Sequence, residues 1–443
     1  LAEQLGWWGV RAVAVDSAEE AVAAVASAAR RGHPFEAVLL DMAMPGHDGL
    51  WLAHQLRASD SGGSLRLLML TSMTQLDEEQ IRSAGIDESI LRDVIPGLQQ
   101  QERVISLDRK QPEFLQTFSE YLDLRVTPER VERGRALLEQ HRPFLLDLQE
   151  QYGVPPQYLV SFWGLETNYG SYLGRMPTLD SLATLACDQR RSDFFSGEFI
   201  AALQLMQRES LEPADMQGSW AGAVGHTQFM PSSYLRYAVD GDGDGQIDLW
   251  RSERDALASG ANYLKSLGWQ SGLRWGREVQ LPSDFPFQHA GQRDRRRPLQ
   301  AWADYGVKRS DGGTLPTAGV DAALLVPAGH RGPAFLVYDN FEIIMRWNRS
   351  ELYAIAVGHL ADRIAGAGTL RDSGSAQGPL RKTDIEIAQK TLNTLGYDAG
   401  PVDGVLGSAT RRALREFQLA NNMVADGYPN PSTLEAIASH DSR

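Results

Sequence analysis

Cysteine is nearly absent from this chain: Cys187 is the only one in 443 residues. No intrachain disulfide can form, so the redox compartment stays open. Long apolar runs are missing too, and none approaches the ~18 residues that a membrane-spanning helix needs. Basic charge is in short supply. There are 43 Lys and Arg against 57 Asp and Glu, a formal net charge of −14. That argues against a nucleic-acid binder, which would show a basic face, and against adsorption to anionic membranes. Residues 1–30 lack the basic, apolar and small-residue series of a secretory signal. What remains is ordinary for globular protein, 42% apolar and 23% charged. The length suits two to four domains.

Residues 1–90 alternate between strand-like and helix-like patterns. Arg11–Val15 is a short β-branched run, and Ser17 can cap an Ala-rich helix over 18–30. Residues 36–40 form an apolar run ending at Asp41. A helical stretch at 48–58 and a buried strand at 65–70 follow. This alternation predicts a parallel α/β sheet. From 103 to 268 the helical period dominates. Residues 277–281, 322–326 and 334–337 read as strands inside a β-containing insertion over about 275–337. Helical pattern returns at 340–366. Residues 367–380 are a polar, Gly/Ser-rich linker, and 381–438 form a last compact unit.

The stretch 155–174 reads PPQYLVSFWGLETNYGSYLG. Pro155 and Pro156 suit a helix start. At helical spacing Leu159, Phe162, Trp163 and Glu166 share one face, which puts a carboxylate on an apolar stripe. Burial there disfavours the charged form and raises the pKa. A carboxylic acid that stays protonated can donate to a leaving oxygen. The bland alternative is a helix-end Glu that reaches solvent. Residues 218–233, GSWAGAVGHTQFMPSS, combine small residues that let backbone approach a ligand with hydrogen-bonding Gln228, Ser232 and Ser233. Trp220 and Phe229 add ring faces.

These motifs, with RRSDFF at 190–195 and YDNFEIIMRWNRSELYAIAV at 338–357, occur in one order. Together they resemble the lytic murein transglycosylase B family over about 95–366. The resemblance implies a mainly α, lysozyme-like catalytic core with a small β insertion. It implies cleavage of the β-1,4 bond between N-acetylmuramic acid and N-acetylglucosamine, leaving a 1,6-anhydro end. It makes Glu166 the acid/base, and Ser219, Gln228, Tyr263, Tyr338 and Asn340 cleft residues. His226 departs from the Gln usual there. No organic cofactor is implied.

The run Asp240-Gly-Asp242-Gly-Asp244-Gly245-Gln246 matches an EF-hand-type calcium loop. Carboxylates fall at positions 1, 3 and 5, Gly at 6, and a backbone carbonyl, that of Gln246, at 7. Position 12 is Arg251 instead of the closing Glu. Asp255 could close the site from further along, with Glu253 the weaker choice. Ca2+ would then be structural. Residues 381–438 (LGY…VDGVLGSATRRALREFQ) resemble a small helical peptidoglycan-binding domain, which implies wall anchoring. Residues 1–90, with VLLDMAMPGHDG, resemble a response-regulator receiver with Asp41 as phospho-acceptor and Thr71 as the following hydroxyl. Its first strand, its acidic pair and its last strand with lysine are not found, so the segment reads as an incomplete receiver that does not accept phosphate. The cluster Arg293, Arg295, Arg296 and Arg297 reads as a solvated loop.

The expected partner is the glycan strand of peptidoglycan; no protein partner can be read. Two rivals stay open. One is a hydrolytic muramidase, since lyase and hydrolase both need an acid. The other is a glycan-binding output domain of a two-component signalling protein that does not cut. The family resemblance implies periplasm or cell envelope, whereas a receiver implies cytoplasm.

Overall fold

In the computed structural model, residues 12–41, 47, 49–59, 65–70, 83–109, 116–188, 191–372, 374 and 380–441 are described. The chain forms two compact units. One comprises residues 1–105 and Leu179–Pro213, the other Ser106–Thr178 and Ala214–Arg443.

In the first unit, strands β1 (Ala37–Asp41) and β2 (Arg66–Leu70) pair in parallel, with Leu39 opposite Leu68. Helix Ala18–Arg30 begins at Ser17, whose hydroxyl accepts from Glu20 N as expected of a cap. It packs with helix Gly49–Ala58 around Ala21, Val25, Leu40, Leu52 and Leu56. The run expected as a strand at 11–15 is not one: residues 12–15 have no regular structure, and Val13 and Val15 are exposed. Thr71 and the side chain of Asp41 lie outside the described residues. The same unit holds helices Glu88–Val94 and Ser192–Glu209. They are joined where Gln204 Nε2 donates to the Ala84 carbonyl (2.8 Å) and Asp87 N donates to Gln207 Oε1 (2.9 Å).

The second unit is built round helix Pro156–Thr167, which packs against helices Pro128–Gln140, Arg142–Tyr152, Glu253–Ser266 and Glu351–Ile364. Local chemistry sets where these helices start. Thr127 caps Pro128–Gln140, with Pro at its first position, and Ser252 and Ser350 cap Glu253–Ser266 and Glu351–Ile364. Inside the core, Ser161 Oγ donates to the Val357 carbonyl at 2.7 Å, which satisfies a hydroxyl that burial would otherwise penalise. A short antiparallel pair, β3 (Met176–Pro177) and β4 (Gln217–Gly218), leads into the Gly-rich loop. The insertion is an antiparallel sheet of β5 (Gly276–Gln280), β6 (Arg297–Pro298), β7 (Lys308–Arg309), β8 (Asp321–Leu325) and β9 (Ala334–Val337), in the order β6-β8-β9-β5-β7. Strands expected from the sequence fall within a residue of β5, β8 and β9. Trp302, Phe285 and Leu324 fill one of its faces.

The C-terminal helices Lys382–Thr394, Ser408–Ala420 and Pro431–Asp441 surround Leu392, Leu414 and Phe417. Two buried glutamines brace its loops. Gln389 Oε1 accepts from Asp403 N and Gly404 N, and Gln418 Oε1 accepts from Gly427 N. This module is seated on the insertion instead of hanging from a free linker. His330 N donates to Asp426 Oδ2 (2.9 Å), and the His330 ring meets the same oxygen at 2.6 Å. Burial alone would raise the Asp426 pKa, but hydrogen bonds from His330, Tyr428 N and Gln418 hold it below the usual carboxylate range. The segment read as linker is itself tied down where Arg371 N and Asp372 N donate to Glu278.

Candidate active site

Glu166 stands in the last turn of helix Pro156–Thr167 and is half-buried. The expected stripe is present, with Leu159, Phe162 and Trp163 buried on the core side. The helix stops at once after Glu166 because Asn168, Tyr169 and Gly170 all adopt positive φ (50°, 60° and 74°). For Asn and Gly that region is accessible, but for Tyr it is strained. Packing holds Tyr169 there. Its ring is buried edge-on against Trp163, and its hydroxyl donates to the Arg130 carbonyl at 2.7 Å. A Cβ at Gly134 or Gly164 would overlap that ring or its hydroxyl. The ETNYG sequence is therefore a fixed elbow that sets the height of Glu166.

The elbow is locked to the Gly-rich loop. Thr167 Oγ1 donates to the His226 carbonyl at 3.0 Å and accepts from Gly170 N at 3.0 Å. Trp163 Nε1 donates to His226 Nδ1 at 2.9 Å. That bond needs a neutral imidazole, and burial pushes the His226 pKa down, which keeps it neutral. A Cβ on Gly170 would overlap the His226 ring. The departure at His226 is thus a structural brace that fits.

Two donors converge on one oxygen of Glu166. Trp347 Nε1 donates to Oε1 at 2.9 Å, and the Tyr353 hydroxyl donates to the same atom. With two donors on Oε1, Oε2 is the oxygen better placed to carry an acid proton. Aromatic rings wall this corner. Phe162 lies 4.4 Å from Trp347 between centroids, Tyr263 lies 5.2 Å from Trp347, and Phe229 lies 5.3 Å from Tyr263. Burial raises the pKa of the Tyr263 phenol. None of these side chains is a second carboxylate.

The other expected residues divide. Ser219 Oγ accepts from Ala221 N and Ala223 N, so it shapes the tip of the Gly-rich loop. Gln228 has φ 49°, a strained position for a non-glycine residue. Its Nε2 donates to the Leu173 and Gly225 carbonyls, which aims its Oε1 away from them. Tyr338 and Asn340 are not brought to this corner. Tyr338 is buried in the core of the insertion beneath Arg277. Asn340 is fully buried, and its amide is spent on Gln270 N, Gln270 O and Leu273 O. Both are structural, because the polypeptide turns into the helix Asp339–Trp347 at that point. Trp347 and Tyr353, which the sequence reading passed over, occupy the corner instead. The one available signal was their aromatic character just beyond an apolar helical stripe.

Arg293 and Arg296 are not solvated either. Arg293 pairs with Glu342 (2.7 Å) and Glu351 (2.9 Å), and Arg296 pairs with Asp339.

In the acidic loop, the carboxylates of Asp240, Asp242 and Asp244 lie with oxygens within 4.8 Å of one another. Gly243 and Gly245 have φ of 80° and 89°, which only glycine adopts easily. Backbone N–H groups of Gly243 and Gly245 hold Asp240, and hold its pKa down. Asp255 does not join the three. It is buried, and its oxygens accept from Gly241 N and Asp248 N at 2.8 Å each, which stitches the two ends of the loop together. Gln246 N donates to Asp244. Arg251 turns to Asp248 and Asp215 instead of the carboxylate trio.

Among the described residues no helix is long and apolar enough to cross a membrane. Residues 381–437 match the putative peptidoglycan-binding domain model. Over 252 residues the chain is 36% identical to membrane-bound lytic murein transglycosylase B of Escherichia coli (strain K12). That match covers 54% of this chain and 65% of the relative's length. SltB3 from Pseudomonas aeruginosa, solved in complex with NAG-anhNAM-pentapeptide, superposes with a TM-score of 0.77 and 42% identity. It covers 82% of this chain and 97% of its own. The Escherichia coli lytic transglycosylase Slt35, solved in complex with calcium, superposes with a TM-score of 0.56 and 32% identity. It covers 66% of this chain and 92% of its own. Residues 70–362, more than half of the chain, match the transglycosylase SLT domain model, so the chain belongs to the SLT-domain transglycosylase family.

Proposed function

We propose that this protein is a lytic murein transglycosylase that cuts the β-1,4 bond between N-acetylmuramic acid and N-acetylglucosamine and leaves a 1,6-anhydromuramic end. The observation that carries the reading is the single carboxylate of Glu166, with two aromatic donors on Oε1, set in an aromatic corner. The acid proton on Oε2 passes to the glycosidic oxygen as the C1–O bond breaks. The Trp347 N–H and Tyr353 O–H stabilise the carboxylate that this leaves behind, as donors aimed at developing charge do. The substrate's own N-acetyl oxygen can carry the positive centre, because most glycosidases would use a second carboxylate for that. Glu166 then takes the proton of the muramic 6-hydroxyl while O6 bonds to C1 and displaces the acetamido oxygen. No water is consumed, and the aromatic walls disfavour its entry. Ser219, Gln228 and Tyr263 would line the glycan path.

The acidic loop fits Ca2+. Three carboxylates and a glycine-shaped turn supply hard oxygen donors, and their mutual repulsion gives a cation something to relieve. Asp240, Asp242 and Asp244 would hold it, with the Gln246 carbonyl, while Asp255 braces the loop. Its role would be stability, not chemistry. The family likeness supports a periplasmic or cell-envelope location, and residues 381–438 would hold the protein on the wall. Residues 1–90 are read as receiver-like, with Asp41 not taking phosphate.

Digestion of purified peptidoglycan, read by mass spectrometry, tests the reaction. Products should be lighter by one water than hydrolysed muropeptides. Free reducing ends would make the enzyme a muramidase.

A further inference from the structure

A second concave site lies where the insertion meets the C-terminal module, a cleft of about 860 Å³ lined by none of the residues grouped around Glu166. Six arginines and four carboxylates border it. Some of those arginines are already matched: Arg293 pairs with Glu342 and Glu351, and Arg412 with Asp398. Arg295, Arg411 and Arg415 form no ion pair among the described residues, although Arg411 donates to the Pro327 carbonyl and the carboxylates of Asp426, Glu351 and Glu416 act on Arg415 from further off. Arg415 is the telling one. It is only 8% exposed, donates Nη2 to the Gly291 carbonyl, and leaves its buried Nε without a hydrogen bond. Room for this guanidinium is made by two glycines with positive φ. A Cβ at Gly291 would overlap Nη2, and one at Gly427 would sit 3.1 Å from it. A buried, under-satisfied guanidinium is costly unless an anion completes it. Desolvation first, then the neighbouring Arg411, press the Arg415 pKa down, and the opposing pull of Asp426, Glu351 and Glu416 does not make up for it. The first turn of helix Ser408–Ala420 opens on the same cleft and has no side-chain cap.

We propose that this cleft binds a carboxylate-bearing peptide, the stem attached to the glycan, between the catalytic unit's insertion and the wall-binding module. Planar guanidinium forks suit carboxylates, and the volume accommodates several residues. A pentapeptide accompanies the glycan in the ligand of the related SltB3 structure, and a peptide with a free C-terminus carries a carboxylate there. This inference rests on the peptidoglycan reading above, yet it can fail separately.

The test is calorimetric titration of the full chain with the free pentapeptide stem, the same peptide with its carboxylates converted to amides, and sodium phosphate. The acid peptide should bind one to one, and amidation should weaken it at least ~10-fold, the size expected for lost charge-assisted hydrogen bonds. Arg295→Gln, away from the Arg415 packing, and Arg411→Gln, one helical turn before Arg415, should each weaken it at least ~5-fold. Their turnover of peptide-free glycan should match wild type. Equal binding of acid and amide peptides, or unchanged affinity in both variants, would overturn the proposal. So would phosphate binding in the cleft while the peptide does not, which would make it a free-anion site. If anhydro products form but the peptide does not bind, only this inference falls. If the peptide binds but no anhydro products form, only the proposed reaction falls.

Discussion

In the unit that holds Glu166, helix Glu351–Ile364 is covered along almost its whole length: Ala354, Ile355, Val357 and Leu360 are all fully buried. Among the described residues of the N-terminal unit, the parallel pair β1–β2 is covered on one face. Val38 and Leu40 meet the helices, whereas Leu39 and Leu68, paired across the strands, are 37% and 53% exposed. Parallel sheets normally bury both faces. The contrast separates a segment whose apolar pattern is fully used from one whose pattern, among the described residues, is half-used.

Substitutions can break this comparison. Leu360→Ala should cost about 3 kcal/mol of stability, as buried Leu truncations do, while Leu68→Ser should stay within about 0.5 kcal/mol. Calorimetric unfolding of both variants checks it, and equal losses would erase the distinction between the two regions.

Much of the site was legible because it is local. Glu166 and its elbow lie within five residues, and the Gly-rich loop and acidic loop each carry their geometry in glycines whose φ is positive. Trp347 and Tyr353 were not legible. They reach Glu166 across 181 and 187 residues, and such pairing leaves no mark in spacing. Tyr338 and Asn340 were misplaced for the converse reason: a polar residue inside a family motif can be spent on backbone, as the Asn340 amide is. Arg293 looked solvated because its partners Glu342 and Glu351 lie 49 and 58 residues on. The strands of the insertion were readable because apolar runs between Pro and Gly turns survive without long-range information.

Acid should next sharpen the contrast. Burial pushes His359 down to about 4 and lowers His226 as well. Both folded pKa values lie below the unfolded value of about 6.5. Their stabilising contribution is therefore complete above about pH 6.5 and is lost as pH falls through each folded pKa, which for His359 is about 4. For His359 it amounts to roughly 3 kcal/mol. Melting temperatures measured from pH 7 to pH 4 should fall most steeply for the unit that holds Glu166, and His359→Gln should flatten the slope. A slope unchanged by that substitution would contradict the assignment.

Calcium should have a smaller effect, confined to the same unit. EDTA should lower its melting temperature by a few degrees, as loss of a ligand bound only to the folded state does, and Asp244→Ala should remove that sensitivity. A melting curve indifferent to EDTA and to added Ca2+ would remove the metal from the account. The smallest expected effect is none at all. Acetyl phosphate with Mg2+ should leave no acid-labile adduct on Asp41, and a stoichiometric one would restore the N-terminal unit as a working receiver.

The claim that one carboxylate serves both proton transfers is tested most directly by the turnover of purified peptidoglycan by Glu166→Gln. The amide keeps the shape and can still accept from Trp347 and Tyr353, but has no acid proton to give. The variant should melt like wild type, still sediment with peptidoglycan, and release anhydro products at least ~100-fold more slowly. Turnover at the wild-type rate would show that another group does the chemistry.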